Sequence, residues 1–222
     1  MSKKQYLQEY EASFETATGR VYEDYSKANH TDKFYGDTRP IIWCHDFNYT
    51  PMSSAIIQEY GDKSYVVDEI ILESAVAKNA ATEFVQRYKD SRIKEVYLYG
   101  DAAGSAGEKH SQESSWSAIK EILKADGWKV FDKVPFSNQS IMDGQNSLRA
   151  RILNAMDEIN FFVNPSICKY TDKGLSTTQL KKGSSFQEED SQYQHITTAL
   201  RYYTKVRFPI NQPMTRVGMS GH

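Results

Sequence analysis

Between residues 41 and 134 the hydrophobic period of the chain changes, and that change restricts the fold more than any other feature. Three apolar, β-type runs come first: "IIWCHDF" (41–47), "SAIIQEY" (54–60) and "SYVVDEIIL" (64–72). The last two are separated by "GDK", a glycine-containing hairpin signal, so the three are predicted to form an antiparallel meander. The period then becomes helical. In "AVAKNAATEFVQRYKDS" (75–91), Ala77, Ala80, Ala81, Phe84, Val85 and Tyr88 recur at helix spacing. A strand (93–101), an amphipathic helix (115–127) stopped at Gly127, and another strand (128–134) follow. The sum is a mixed α/β fold: a meander, then βα units whose crossovers are right-handed. If the fourth strand pairs beside the first, the order of the five-stranded sheet is 3-2-1-4-5, and two acids, Asp46 and Asp101, end neighbouring central strands. The alternation of apolar and polar residues does not force that pairing.

The remaining chain organises around this block. Residues 1–39 read as an irregular polar and aromatic arm, 40–208 as the folded domain, and 209–222 as a loose tail. Within the domain, 140–158 is predicted helical, 160–165 a short extended piece, 171–192 a mobile polar segment, and 193–206 a final helix. Two cysteines, Cys44 and Cys168, are too few for a disulfide scaffold or a zinc site, and Cys44 reads as a buried reduced thiol. No apolar run approaches a membrane span, and "MSKKQYLQEYE" has no apolar core for a signal peptide. A net charge of −2 gives no global attraction to nucleic acid, so any such contact must come from local basic clusters.

Asp46 follows Ile41, Ile42, Trp43 and Cys44 in a run that should be central and dry, where a lone carboxylate is expensive. Asp101, in "YLYGDAAGSAG", stands at the lip of a strand with only small residues after it, which leaves space for a bulky ligand. A shared divalent cation resolves both, since Mg²⁺ accepts one or two carboxylates and keeps several waters. The plainer alternative pairs Asp46 with a basic residue and makes Asp101 a turn-starting residue.

The ordered set "WCHDFNYTPMSSAII", "VYLYGDAAGS" and "HITTALRYY", with "EYEASF…GRVYEDY" before it, resembles the nuclease domain of the large terminase subunit of tailed phages. The resemblance runs over residues 5–206. It implies an RNase H-like fold with the 3-2-1-4-5 sheet, and an Mg²⁺- or Mn²⁺-dependent endonuclease that cuts concatemeric double-stranded viral DNA during packaging. Asp46 then matches the acid that bridges two ions and Asp101 the second acid. The front segment, up to residue 39, resembles the linker between that family's ATPase and its nuclease. The implied partners are double-stranded DNA, the terminase ATPase domain, the small terminase subunit and the portal, in the host cytoplasm and with no membrane. A G-x-x-x-x-G-K-[ST] phosphate loop is missing, so ATP-driven translocation is not expected of this chain, which reads as an excised domain or a separately encoded half.

One position departs from the family pattern. The third acid normally stands in a His-x-x-Asp-Ala arrangement, and here the residues are His195-Ile196-Thr197-Thr198-Ala199. Thr198 supplies no charge, which weakens the second ion. Asp190 or Glu189 could replace the charge, His195 could act as ligand or proton shuttle, or the domain could be a weak or silent DNA-binding and motor-docking module. The plain alternative for Asp190 and Ser191 is N-capping of the last helix. Phosphate contacts are expected from Lys181 and Lys182, from Lys109 with His110, and from Arg149 and Arg151. Another RNase H-like nuclease, such as a junction resolvase, would leave the linker-like front segment unexplained.

Overall fold

The computed structural model describes residues 19–48, 50–102, 114–137 and 140–210. Among them lie six strands: β1 (Ile41–Asp46), β2 (Met52–Tyr60), β3 (Lys63–Leu72), β4 (Glu95–Gly100), β5 (Lys129–Asp132) and β6 (Phe161–Val163). Five helices accompany them: α1 (Ala77–Arg87), α2 (Ser115–Ala125), α3 (Ile141–Ile152), α4 (Lys169–Thr177) and α5 (Gln194–Arg207). The sheet order is β5-β4-β1-β2-β3-β6. The expected 3-2-1-4-5 order is therefore present, with β1 parallel to β4 and antiparallel to β2. The sheet has six strands rather than five, because the extended piece at 161–163 adds to β3 in parallel. Three residues are half an ordinary strand, too short for an alternation to register.

Side-chain alternation along β1 sorts the core into two layers. Ile41 and Trp43 face α1 and α2, where they meet Ala80, Ala81, Phe84, Trp116 and Leu123. Ile42 and Cys44 face α5, packing with Ile196, Ala199, Leu200 and Tyr203. Both cysteines are buried free thiols, and burial pushes the Cys44 thiol well above its usual range. The two-residue turn between β2 and β3 places Gly61 at φ +60, which a glycine adopts without strain.

Two segments differ from expectation. The described part of the front arm is inside the core: Val21, Tyr22 and Tyr25 are buried, and Val21 N–H donates to Thr178 O at 2.9 Å. Buried Asn29 donates to the carbonyls of Ile152 and Phe161 at 3.0 and 3.1 Å, so the boundary at residue 39 is not a structural one. The polar segment 171–192 is also ordered. It completes α4 and then folds into a small hairpin, with Lys181 N–H donating to Gln187 O at 2.7 Å and Glu189 N–H to Gln179 O at 2.8 Å. Its serines and glycines satisfy turn geometry, Gly183 at φ +80, rather than disorder. The helix expected over 140–158 stops at Ile152, and Asn154 then holds the following loop through N–H groups of Met156 and Glu158. Among the described residues no helix is long and apolar enough to cross a membrane.

Candidate active site

The register of β1 and β4 ends on the pair His45↔Gly100, so Asp46 and Asp101 are the next residue on each strand. Neighbouring strands lie about 4.8 Å apart, which sets the two backbones side by side at the same level. Alternation continues the Ile42–Cys44 face into Asp46 and the Tyr97–Tyr99 face into Asp101, both toward α5. One phenol reports on both acids. Burial, then the negative charges of Asp101 and Asp46, push the Tyr202 hydroxyl above its ordinary range. The glycine before Asp101 has a packing role: a Cβ on Gly100 would lie 2.5 Å from the Trp116 ring and 2.7 Å from His45 O. The space expected there for a DNA backbone is thus filled by Trp116, whose indole N–H donates to Asp101 O at 2.9 Å.

The first turn of α5 brings His195 over the end of β1. Its Nδ1 is 3.0 Å from Asp46 Oδ2, and both side chains are 15% exposed. The Asn48 amide Nδ2 lies 2.6 Å from His195 Nε2. An amide nitrogen only donates, so Nε2 is the acceptor and Nδ1 carries the hydrogen that Asp46 receives. Asp190 stands at 3.9 Å from Nε2 with a side chain 90% exposed, at the limit of ion-pair range. It does not cap α5: the N-cap position is Tyr193 and has no side-chain cap.

Thr198, one turn along from His195, is enclosed by donors. Its Oγ1 accepts from Gln194 Nε2 at 2.6 Å and from Arg201 Nη2 at 3.1 Å. The other side of that guanidinium, Nη1, holds Glu188 at 2.9 Å, and these two side chains are only 9% and 3% exposed. Glu188 also accepts from Gln145 at 2.8 Å and Gln194 at 2.7 Å. Gly144 on α3 makes room for this pair, since a Cβ there would meet Arg201 Cγ at 2.5 Å. Sequence reasoning missed Glu188, Arg201 and Gln145, because a loop-to-helix pair thirteen residues apart has no periodic spacing to reveal it.

The other expected residues scatter. Lys181 and Lys182 are exposed near the tip of the hairpin, and Glu189 joins it through its backbone. Arg149 is tied to Val21 O at 2.6 Å and to Asn146, and burial lowers its pKa from the ordinary arginine value. Arg151 donates to Asp62 O and Asn160 O and stacks over Phe208, at the β2–β3 turn, the opposite end of the sheet from Asp46. Neither guanidinium is brought to the Asp46 end as a free phosphate contact. Asp68 holds Arg87 and Tyr88 of α1, at 3.2 and 2.6 Å, on the other face. Lys109 and His110, with Ala103 and Gly104, lie outside the described residues, as do residues 1–18 and 211–222. On that other face His45 is fully buried between Trp43, Phe47 and Trp116, with neither ring nitrogen hydrogen-bonded, and burial pushes it down to about 3.

Asp46 and Asp101 are hard oxygen ligands suited to one divalent ion that keeps its waters. Among the described residues no group of three His, Cys, Asp or Glu side chains could hold a metal by itself. A second ion beside Thr198 does not fit the residues present, because that oxygen already accepts from a cation and an amide.

No family model matches the chain, and no curated protein matches it. Solved structures do match in shape. The full-length large terminase of a thermophilic bacteriophage superposes with a TM-score of 0.61 at 15% identity, over 85% of this chain and 45% of that one. The P22 large terminase nuclease domain gives 0.59 at 16% identity, over 86% of this chain and 94% of that one. The large terminase nuclease from thermophilic phage G20c, with bound magnesium, gives 0.54 at 13% identity, over 85% and 98%. The chain thus spans less than half of the first of these proteins and nearly all of the P22 domain. It has the RNase H-like fold of the large terminase nuclease domains.

Proposed function

We propose that this chain is a phage large-terminase nuclease domain, a divalent-metal-dependent endonuclease that cuts concatemeric double-stranded viral DNA during packaging. One observation carries the reading: Asp46 and Asp101 follow the last register pair of two adjacent parallel strands, beneath His195, in the fold of those nucleases. The magnesium bound to the G20c nuclease supports a divalent ion here, Mg²⁺ or Mn²⁺.

Asp46 and Asp101 would hold the ion. When bound, it would lower the pKa of a coordinated water and stabilise the departing 3′-oxygen of a phosphodiester. The chain's own residues fix the geometry around it. His195 donates from Nδ1 to Asp46 Oδ2 and so fixes one carboxylate oxygen, leaving the other to face outward. Asn48, donating to Nε2, keeps the ring in that tautomer. Asp190, exposed on the solvent side of the same imidazole, adds negative charge at the rim. Lys181, Lys182 and Lys109 are proposed to contact phosphates and so set the duplex over the site. The terminase ATPase domain, small subunit and portal are the proposed partners, in the host cytoplasm.

The test is nicking of supercoiled plasmid in Mn²⁺ by the wild type and by Asp46→Asn. Nicking by the first and not by the second is expected. A wild type that leaves the plasmid intact in excess Mn²⁺ contradicts the nuclease reading. A second reading, a silent DNA-binding and motor-docking module, is favoured by the Arg201–Thr198 contact where the third acid would stand. It predicts retarded plasmid on a gel with no nicked product.

A further inference from the structure

We infer that Arg201 takes the place of a second metal ion, so that this chain binds one divalent cation and closes the neighbouring position with an internal guanidinium. The inference rests on the metal reading of Asp46 and Asp101 given above. Four observations carry it. Thr198 Oγ1, the oxygen one helical turn from His195, accepts from Arg201 Nη2 at 3.1 Å and from Gln194 at 2.6 Å. A hydroxyl oxygen has two lone pairs, and both are in use. The one further carboxylate brought to this end, Glu188, is 3% exposed and is already neutralised by Arg201 at 2.9 Å. Its oxygens also accept from Gln145 and Gln194, so an incoming ion would have to displace three donors.

The arrangement is built, not incidental. Gly144 is the residue that lets the Arg201 stem pass between α3 and α5, since a Cβ there would meet Arg201 Cγ at 2.5 Å. A planar guanidinium bridges a carboxylate and a hydroxyl in the way a metal bridges two oxygen ligands, but it is always charged and never dissociates. It therefore ties the 179–189 hairpin to α5 in the absence of any ion. It also repels a dication from the same spot.

Two consequences are particular to Arg201. Restoring an acid at position 198 does not restore a second ion while the guanidinium remains, because the new carboxylate pairs with it. Removing the guanidinium at the same time leaves two carboxylates, 188 and 198, that only a cation can satisfy.

The experiment is a Mn²⁺ titration of the 222-residue chain, followed by isothermal calorimetry and by the free-Mn²⁺ paramagnetic resonance signal. Wild type is expected to take up a single ion, any second uptake being weaker by about a hundredfold, the factor corresponding to ~3 kcal/mol for disrupting a buried ion pair. Thr198→Asp is expected to keep that stoichiometry, and Thr198→Asp with Arg201→Gln to gain a second ion. Two ions of similar affinity in wild type, or in Thr198→Asp alone, would overturn the role of Arg201. If the double variant does not fold, the Thr198→Asp titration decides by itself. Absence of any Mn²⁺ uptake by wild type is a different failure, that of the Asp46–Asp101 site beneath the inference.

Discussion

His45 and Asp46 are consecutive residues with opposite surroundings, and the strand pleat is the cause. Asp46 turns to α5 and a polar partner, whereas His45 turns into Trp43, Phe47 and Trp116 with no hydrogen bond to either nitrogen. A histidine held down to about 3 is neutral in the folded chain throughout the neutral range. In the unfolded chain the same ring titrates near 6.5, so between about 6.5 and 3 the unfolded state binds the extra proton. Stability from this residue is complete above pH 6.5 and falls by about 1.4 kcal/mol per pH unit as acid is added. Urea unfolding of His45→Phe across pH 4 to 7 is expected to show a flatter profile than wild type. Equal slopes would mean that the ring is not buried as described. At Gly100, replacement by alanine drives a Cβ to 2.5 Å from Trp116 and 2.7 Å from the His45 carbonyl. Overpacking of this kind is expected to lower stability by about 1–3 kcal/mol, read by urea midpoint.

At the scale of elements, α5 decides most of the site, because its first turn holds Asp46 through His195 and its second turn holds Glu188 through Arg201. Glu188→Ala is expected to lose about 3–5 kcal/mol, because Arg201 would remain buried without its counter-ion. Glu188→Gln with Arg201→Met is expected to recover most of it, and chemical denaturation of both variants checks the pair. The elements of this sheet were legible in the sequence to different degrees. Strands β1 to β5 and helices α1, α2 and α5 announce themselves by period, since each buries a face against a large core. Helix α4 does not. Its residues, "KYTDKGLST", bury only Thr171, Gly174 and Leu175, which leaves no apolar stripe to read. The pairing of β4 beside β1 was also not forced by pattern, because both strands are apolar on both faces. The acids at the strand ends could be found as carboxylates out of place. The Glu188–Arg201 pair could not, because nothing local distinguishes it from surface charge.

For the whole molecule, a net charge of −2 makes duplex binding depend on small basic groups rather than on the overall field. Lys181 and Lys182, exposed near the hairpin tip, are proposed to serve that role. Replacing both by alanine is expected to weaken duplex binding for all sequences alike and to reduce the salt slope by about 1–2, near 0.9 for each phosphate that is no longer neutralised. An unchanged slope would assign the phosphate contacts elsewhere. Everything proposed for the site depends on whether Asp46 and Asp101, ending adjacent parallel strands, serve one ion. The direct measurement is a crystal structure of the Mn²⁺-soaked protein with the metal located by anomalous scattering. A single peak is predicted, with oxygens of both carboxylates at about 2.1–2.2 Å, and no peak beside Thr198. A peak that touches only one of the two acids, or none, would contradict the shared site.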